Sequence, residues 1–339
     1  LTNTINIGII GAGYIGITHA KSFSSLPNVK IAAVCDRVEE RAKVLAEKFG
    51  AKSYTDVEKM LAQPNIDAVV VGTPHAFHAE QTILAAEAGK HVLVEKPMAT
   101  SLEDCDRMIE VCRRSGVKLM VAHSHRFWPG NVKAKELIEK GEVGRLLTAY
   151  DSVVGGGFGP VGSRDPSDRF AWMQSRRLGG GGAVMFNGSH IIDRLRWWIG
   201  SEVKKVFAKV GNEVYGSEVE EYGSAFLLFE NGVSATMTVS MATPGAGYCV
   251  AELLGTDGII EVKTYENVRL GKKSWETVHV FDPETERDRT FTAEAKEFIA
   301  SILEDRKPLI PGEEGRANVE VVLAIYRSSE RLETVHLPL

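Results

Sequence analysis

Cysteine is scarce in this 339-residue chain: there are four, at positions 35, 105, 112 and 249. They are scattered and show no metal-ligand spacing. Cys105 and Cys112 lie seven residues apart, near one face of a helix, and read as reduced buried thiols. Basic charge is not in excess either: 40 basic residues face 45 acidic ones, for a net charge of −5. Without a long basic run, the electrostatic footprint of a nucleic-acid binder is missing. No apolar stretch reaches the length of a membrane span, and because Leu1–Asn6 passes straight into a strand, no signal peptide is expected. A cytoplasmic protein with neither nucleic-acid nor membrane partner is expected. Hydrophobic residues at 44% and charged residues at 25% suit a folded globular chain, and 339 residues favour two domains.

The first third alternates between short apolar runs and helical patterns. Strands are expected at Ile5–Ile10, Lys30–Cys35, Ala68–Val71, His91–Val94 and Lys118–Ala122. Helices are expected near Tyr14–Ser25, Glu39–Phe49, Ala79–Ala88 and Leu102–Ser115, the last opened by a capping box from Ser101 to Asp104. Strands apolar on both faces and alternating with helices make a doubly wound parallel sheet, an α/β Rossmann domain over residues 1–124.

Gly11-Ala12-Gly13-Tyr14-Ile15-Gly16 follows the first strand and opens the first helix. Gly11 permits the turn, Gly13 lets the backbone approach a pyrophosphate, and Gly16 lets helix and strand pack closely. Asp36 ends the next strand, twenty residues after Gly16, where a carboxylate bonds a ribose 2′-hydroxyl. An unrelated glycine turn would lack this context. Asp36 argues for NAD, and Arg37 beside it leaves NADP open as a second cofactor. Other strand ends bring Thr73-Pro74-His75, Glu95-Lys96-Pro97 and His123-Ser124-His125-Arg126 to the same rim, where open α/β sheets bind ligands. A lysine desolvated there can relay a proton or steady an oxyanion, although a surface lysine paired with Glu95 is the plainer reading. His75 with His78, or His123 with His125, lacks a third metal ligand at convincing spacing, so no metal is expected.

These residues resemble the glucose–fructose oxidoreductase / inositol dehydrogenase / MocA family over nearly the whole chain. Gly11–Gly16 with His19, Thr73-Pro74-His75 with His78, and Glu95-Lys96-Pro97 carry the resemblance, as does Gly179–Gly182 leading to His190 and Asp193. It implies hydride transfer between the nicotinamide and a sugar, inositol or polyol. Lys96 and His190 would be catalytic, the Lys96–Pro97 bond cis, and Gly11, Gly13, Tyr14, Ile15, Gly16, Asp36, Arg37, Thr73, Pro74, His75, His78, Glu95, Lys96 and Pro97 would hold the cofactor. Phe186 stands where the family usually has an aspartate four residues before the histidine, and Asn187 follows it. This departure keeps two further readings open, an internal-redox enzyme with retained NAD and a non-catalytic cofactor sensor.

Residues 125–339 read as an α+β substrate domain with a large, mostly antiparallel open sheet. Strand-like runs recur at short intervals from Arg145 to Val262, and Asn231-Gly232 and Asp257-Gly258 mark hairpins. The open face is expected to form a homodimer or homotetramer, and two C-terminal helices to pack at the domain boundary. The glycine-flanked stretch from Gly155 to Gly182, with Arg164, Arg169, Trp172, Arg176 and Arg177, reads as a lid. Lys96, Arg126, Trp172, Asn187 and His190 are assigned to the substrate. Asp193, one turn after His190, is placed to orient its ring.

Overall fold

Short strands buried on both faces need apolar residues at consecutive positions, and the central strands of the first sheet are of this kind. The computed structural model describes residues 4–155, 171–243, 247–282 and 285–339. This sheet comprises β1 (Ile5–Ile10), β2 (Val29–Cys35), β3 (Lys52–Tyr54), β4 (Ala68–Val71), β5 (His91–Glu95) and β6 (Leu119–Ala122). Between them run α1 (Tyr14–Ser24), α2 (Glu39–Phe49), α3 (Val57–Leu61), α4 (His78–Glu87) and α5 (Leu102–Ser115). Every pairing is parallel, in the order β3-β2-β1-β4-β5-β6. The order reverses between β1 and β4, which opens a crevice beyond their carboxyl ends. β3 and α3 were not anticipated, being too short to show a period. At the start of α5, Ser101 Oγ accepts from the Asp104 N–H at 3.2 Å, while Ser101 donates to the Asp104 carboxylate at 3.1 Å.

The chain divides into two compact units, Leu1–Ser124 with Asp288–Ala317, and His125–Arg287 with Asn318–Leu339. Residues 288–317, assigned above to the second domain, thus belong with the first. The reason is packing. Phe291 sets its edge on His19 at 5.8 Å and Phe298 sets its edge on Phe23 at 6.2 Å. Val121 N–H donates to Ile310 O at 2.9 Å, and Lys118 pairs with Asp305 at 2.6 Å. The helices concerned are α9 (Glu286–Leu303) and α10 (Gly312–Arg331), so the chain passes between units within each of them.

The second unit carries a mixed sheet of nine strands, ordered β14-β13-β12-β11-β7-β10-β9-β8-β15. These are β7 (Leu146–Val154), β8 (Val203–Gly211), β9 (Tyr222–Phe229), β10 (Ser234–Ser240), β11 (Tyr248–Gly255), β12 (Ile259–Lys263), β13 (Asn267–Gly271), β14 (Trp275–Val280) and β15 (Val335–His336). All pairs are antiparallel except β7 with β10. The inward residues pack with α6 (Pro129–Glu139), α8 (Ser189–Ile199) and the second half of α10, through side chains such as Leu137, Leu195, Trp198, Val322 and Ile325. A short α7 (Arg176–Gly179) precedes α8. On the other face Phe207 and Phe226 stand directly opposite each other, 48% and 47% exposed. β13, β14 and β15 were not anticipated; the residues of β14 are all exposed or half-buried, which leaves no alternation to read.

Candidate active site

The glycine loop sits between β1 and α1, and the three glycines differ in what surrounds them. A Cβ on Gly16 would strike the Gly11 carbonyl, so the helix packs against the strand end only through glycine. Gly11 has φ +98°, and a Cβ there would lie 2.6 Å from Gly72 O. Gly13 has nothing within 4 Å of such a Cβ, so space lies open over the start of α1. That helix has no side-chain cap and no acidic residue in its first turn. Its first N–H groups therefore keep their affinity for an anion. Asp36, at the end of β2, accepts from the Ala12 N–H and the Val38 N–H, both at 2.8 Å. The carboxylate thus ties β2 to the glycine loop and still has lone pairs for a diol. An open glycine, an uncapped helix and a carboxylate at the next strand end fit a dinucleotide. Ile15 packs beside Gly72, whereas Arg37 is exposed on the surface.

This arrangement separates two glycine roles. Gly13→Ala is expected to cost less than about 1 kcal/mol of stability but to weaken NAD binding roughly tenfold or more, because the methyl fills only ligand space. Gly16→Ala should instead destabilise the first unit by about 1–3 kcal/mol through overpacking. Calorimetric titration and thermal melts check both. Equal loss of stability in the two variants would contradict the assignment.

The ends of β4 and β5 are joined by buried polar groups. His78, fully buried, places Nδ1 2.9 Å from Pro97 O and Nε2 2.8 Å from Thr73 O. Burial lowers its pKa against the pull of these carbonyls, so the neutral ring donates to one carbonyl at a time. Thr73 Oγ1 donates to Gln81 at 2.6 Å, and the His75 ring lies 5.6 Å from that of His78. Glu95 was expected to shape the cofactor site. Its carboxylate accepts from His19 Nε2 at 2.8 Å and from the Lys96 N–H at 3.0 Å. Burial pushes that carboxyl up, but the His19 hydrogen bond and the nearby positive groups outweigh it and leave the pKa lowered. Lys96 is 8% exposed, and the Lys96–Pro97 bond is cis. Burial lowers the Lys96 pKa to about 8, with Glu95 pulling the other way.

In the second unit the anchor for the catalytic candidates is Glu220, a residue that sequence reasoning missed. Its carboxylate accepts from the Gly182 and Val184 N–H groups, both at 2.9 Å, and from Tyr326 Oη at 2.7 Å. A negative side chain thus meets the unsatisfied N–H groups that open a π-helical turn, Val184–Gly188, which leads into α8. The same packing accounts for Gly181 and Gly182: added Cβ atoms would strike Tyr326 Oη and Glu220 O. These two glycines are close-packed, and residues 156–170 of the stretch read as a lid lie outside the described residues. Arg164 and Arg169 lie outside the described residues. Arg176 donates to Glu218 O at 3.0 Å.

Phe186 and Asn187 occupy the π-helical turn, Asn187 buried and Phe186 half-buried. Trp172 meets Phe186 edge-on at 6.4 Å, so an aromatic pair stands at the family's usual aspartate position. His190 is the second residue of α8, and its ring lies 3.9 Å from that of His125, tilted by only 16°. Arg126 closes a bidentate pair on Asp193, the two side chains being 5% and 0% exposed. Asp193 therefore engages a guanidinium fork that had been assigned to the substrate. A second buried pair, Arg194 with Asp151, has contacts of 2.5 and 3.0 Å. His125, Asp151 and Arg194 were not singled out in the sequence for these contacts. The available signal was charge at fully buried positions of an otherwise apolar strand and helix.

A parallel sheet with an open glycine loop, an uncapped helix and a carboxylate at the next strand end defines a dinucleotide-binding protein of Rossmann type. The chain belongs to the Gfo/Idh/MocA oxidoreductase family. Residues 5–123 match the model described as an oxidoreductase family with an NAD-binding Rossmann fold, and residues 131–261 match the GFO/IDH/MocA C-terminal domain. The chain is 28% identical to the myo-inositol 2-dehydrogenase of Thermotoga maritima over 98% of each chain. It is 33% identical to the uncharacterized oxidoreductase YrbE of Bacillus subtilis, over 76% of this chain and 73% of that one. Among solved structures, the aldose-aldose oxidoreductase of Caulobacter crescentus, complexed with glycerol, is similar at 27% identity and TM-score 0.87, covering 99% of this chain and all of that one. The protein is accordingly an NAD-binding oxidoreductase. Among its described residues, no helix is long and apolar enough to cross a membrane.

Proposed function

We propose that this protein is an NAD-dependent dehydrogenase of sugars, inositols or related polyols, in which Lys96 and His190 handle the proton of the reacting hydroxyl. The observation that carries this reading is Lys96. It is a desolvated amine at the end of β5, with its backbone N–H held by Glu95 and its pKa lowered to about 8. A group poised near working pH serves acid–base chemistry in either direction. The names of the inositol and aldose relatives support the substrate class. Phe186 cannot carry a proton, so proton handling falls to Lys96 and His190. The Trp172–Phe186 pair offers an apolar wall to the C–H face of a ring, while Asn187 can hydrogen-bond a hydroxyl. The α1 start would hold the pyrophosphate, and Asp36 the adenosine ribose, with Arg37 beside it. Bound NAD supplies the hydride acceptor.

The test is nicotinamide absorbance with NAD and NADP against inositols, aldoses, sugar acids and small polyols, beside a Lys96→Ala control. Lys96-dependent reduction of NAD supports the reading. Silence across the panel with cofactor binding intact overturns it, and cofactor retained through purification would then favour the internal-redox alternative. Asp36→Ser is expected to lower the KM for NADP roughly tenfold by removing a carboxylate that repels a 2′-phosphate. An unchanged KM for NADP would show that the carboxylate does not set cofactor choice.

The exposed Phe207–Phe226 pair on the open sheet supports assembly of this chain into a homodimer or homotetramer through that face. The four cysteines, all free and buried, suit a cytoplasmic location.

A further inference from the structure

The His190 ring has a partner whose chemistry is set from behind. His125 Nδ1 lies 2.6 Å from Arg194 Nη1, and both residues are buried. A guanidinium has donors only, so Nδ1 must be the acceptor and its proton must sit on Nε2. Arg194 cannot swing away. It is 0% exposed, forks onto Asp151, donates to Cys249 Sγ at 3.4 Å, and lies 5.7 Å over the Trp198 ring. The His125 backbone is tied as well: its carbonyl accepts from Asn131 Nδ2 at 2.8 Å, and Asn131 O accepts from Trp198 Nε1 at 3.0 Å. The Trp128 edge meets the His125 ring at 6.2 Å. The His125 ring stacks on that of His190 at 3.9 Å and 16°.

We propose that His125 is a positioning residue for His190: Arg194 locks it as the neutral Nε2–H tautomer, and its ring presents a fixed, uncharged face to the His190 imidazole. This rests on the reading of His190 as an acid–base group. Among the described residues, the charged and titratable groups beside the pair include Arg194, with Asp151 and Cys249 behind it, and Arg126 with Asp193. Each of these two guanidiniums has a carboxylate partner. Protonating His125 at Nδ1 would set an N–H against a guanidinium N–H. His190 can then gain and lose a proton against a neighbour that stays neutral and does not rotate.

Long-range nitrogen–proton correlation spectra of the histidine rings in the whole enzyme test the lock, with assignments from His125→Phe and His190→Asn. The expected result is an unprotonated His125 Nδ1 at neutral pH and a titration midpoint depressed below the ordinary value of about 6.5. A midpoint near 6.5 would overturn the proposal. Kinetics test the consequence on the best substrate of the panel. His125→Ala should lower kcat about tenfold or more and displace its pH profile, with KM within about threefold. His125→Phe, which keeps a flat ring, should stay within about threefold of the parent in kcat. Parental kcat in His125→Ala, or a Phe variant as impaired as Ala, would sink the positioning role. Parental kcat in His190→Asn would overturn the acid–base reading, while the ring titration still decides the state of His125.

Discussion

Lys96→Met is expected to give a protein that is more stable than its parent at pH 7 and nearly inactive. Burial lowers the Lys96 pKa from 10.5 to about 8. Between those two values the unfolded chain binds more protons than the folded one, so this group's contribution to stability rises with pH. It is complete above about 10.5 and gone below about 8. At pH 7 the buried ammonium therefore costs on the order of 3 kcal/mol. Methionine fills a similar volume without the charge, and a gain of about 1–3 kcal/mol at pH 7 follows. The gain should shrink as pH rises through that window, because the parent then buries a neutral amine. Turnover should fall about 10²–10⁴-fold with NADH affinity nearly unchanged. Calorimetry at pH 7 and at high pH, beside kinetics, checks both halves. Loss of stability at pH 7 would show that Lys96 is held by compensating contacts and is not strained by burial. In the parent, kcat/KM for alcohol oxidation that rises through pH 8 identifies the neutral amine as the working form, and a fall identifies the ammonium.

Asp151→Ala should destabilise the second unit by about 3–5 kcal/mol, because it leaves the fully buried Arg194 guanidinium without its carboxylate. The paired change Asp151→Leu with Arg194→Met removes both charges and should recover most of that loss, since buried ion pairs add little net stability over apolar packing. Urea unfolding of the three variants measures this. The double variant is expected to stay impaired in kcat, because it also removes the donor that holds His125. Full recovery of stability and turnover together would mean that the pair serves packing alone. A single variant close to the parent would show that water reaches Arg194.

The first unit was legible because each local rule pointed the same way. Both-face burial made β4 and β6 uninterrupted apolar runs and left β1 broken only at Asn6, and the glycine loop, Asp36 and Lys96 each directly follow or close a strand. Position at a strand end is information that the linear order carries, since the carboxyl ends of a parallel sheet share one rim. The second unit was legible only in part. Hairpins such as β9–β10 announce themselves through Asn231-Gly232, where Gly232 takes φ +87°. The parallel pairing of β7 with β10 joins segments about eighty residues apart, and nothing local specifies it. The placement of residues 288–317 with the first unit is of the same kind, because helix periodicity shows that a face is apolar without saying what it covers.

The sequence by itself determined the cofactor class, the rim residues of the first unit and the departure at Phe186, because these depend on residue type at fixed offsets from strand ends. Tertiary structure alone decided which charges neutralise one another: Arg126 with Asp193, Arg194 with Asp151, Glu220 at the start of the α8 segment, and His125 stacked on His190. The physical reason is that a buried charge must find a partner, but the partner's place in the sequence is set by how strands and helices pack. Asp151 and Arg194 are 43 residues apart and meet only when β7 lies beneath α8.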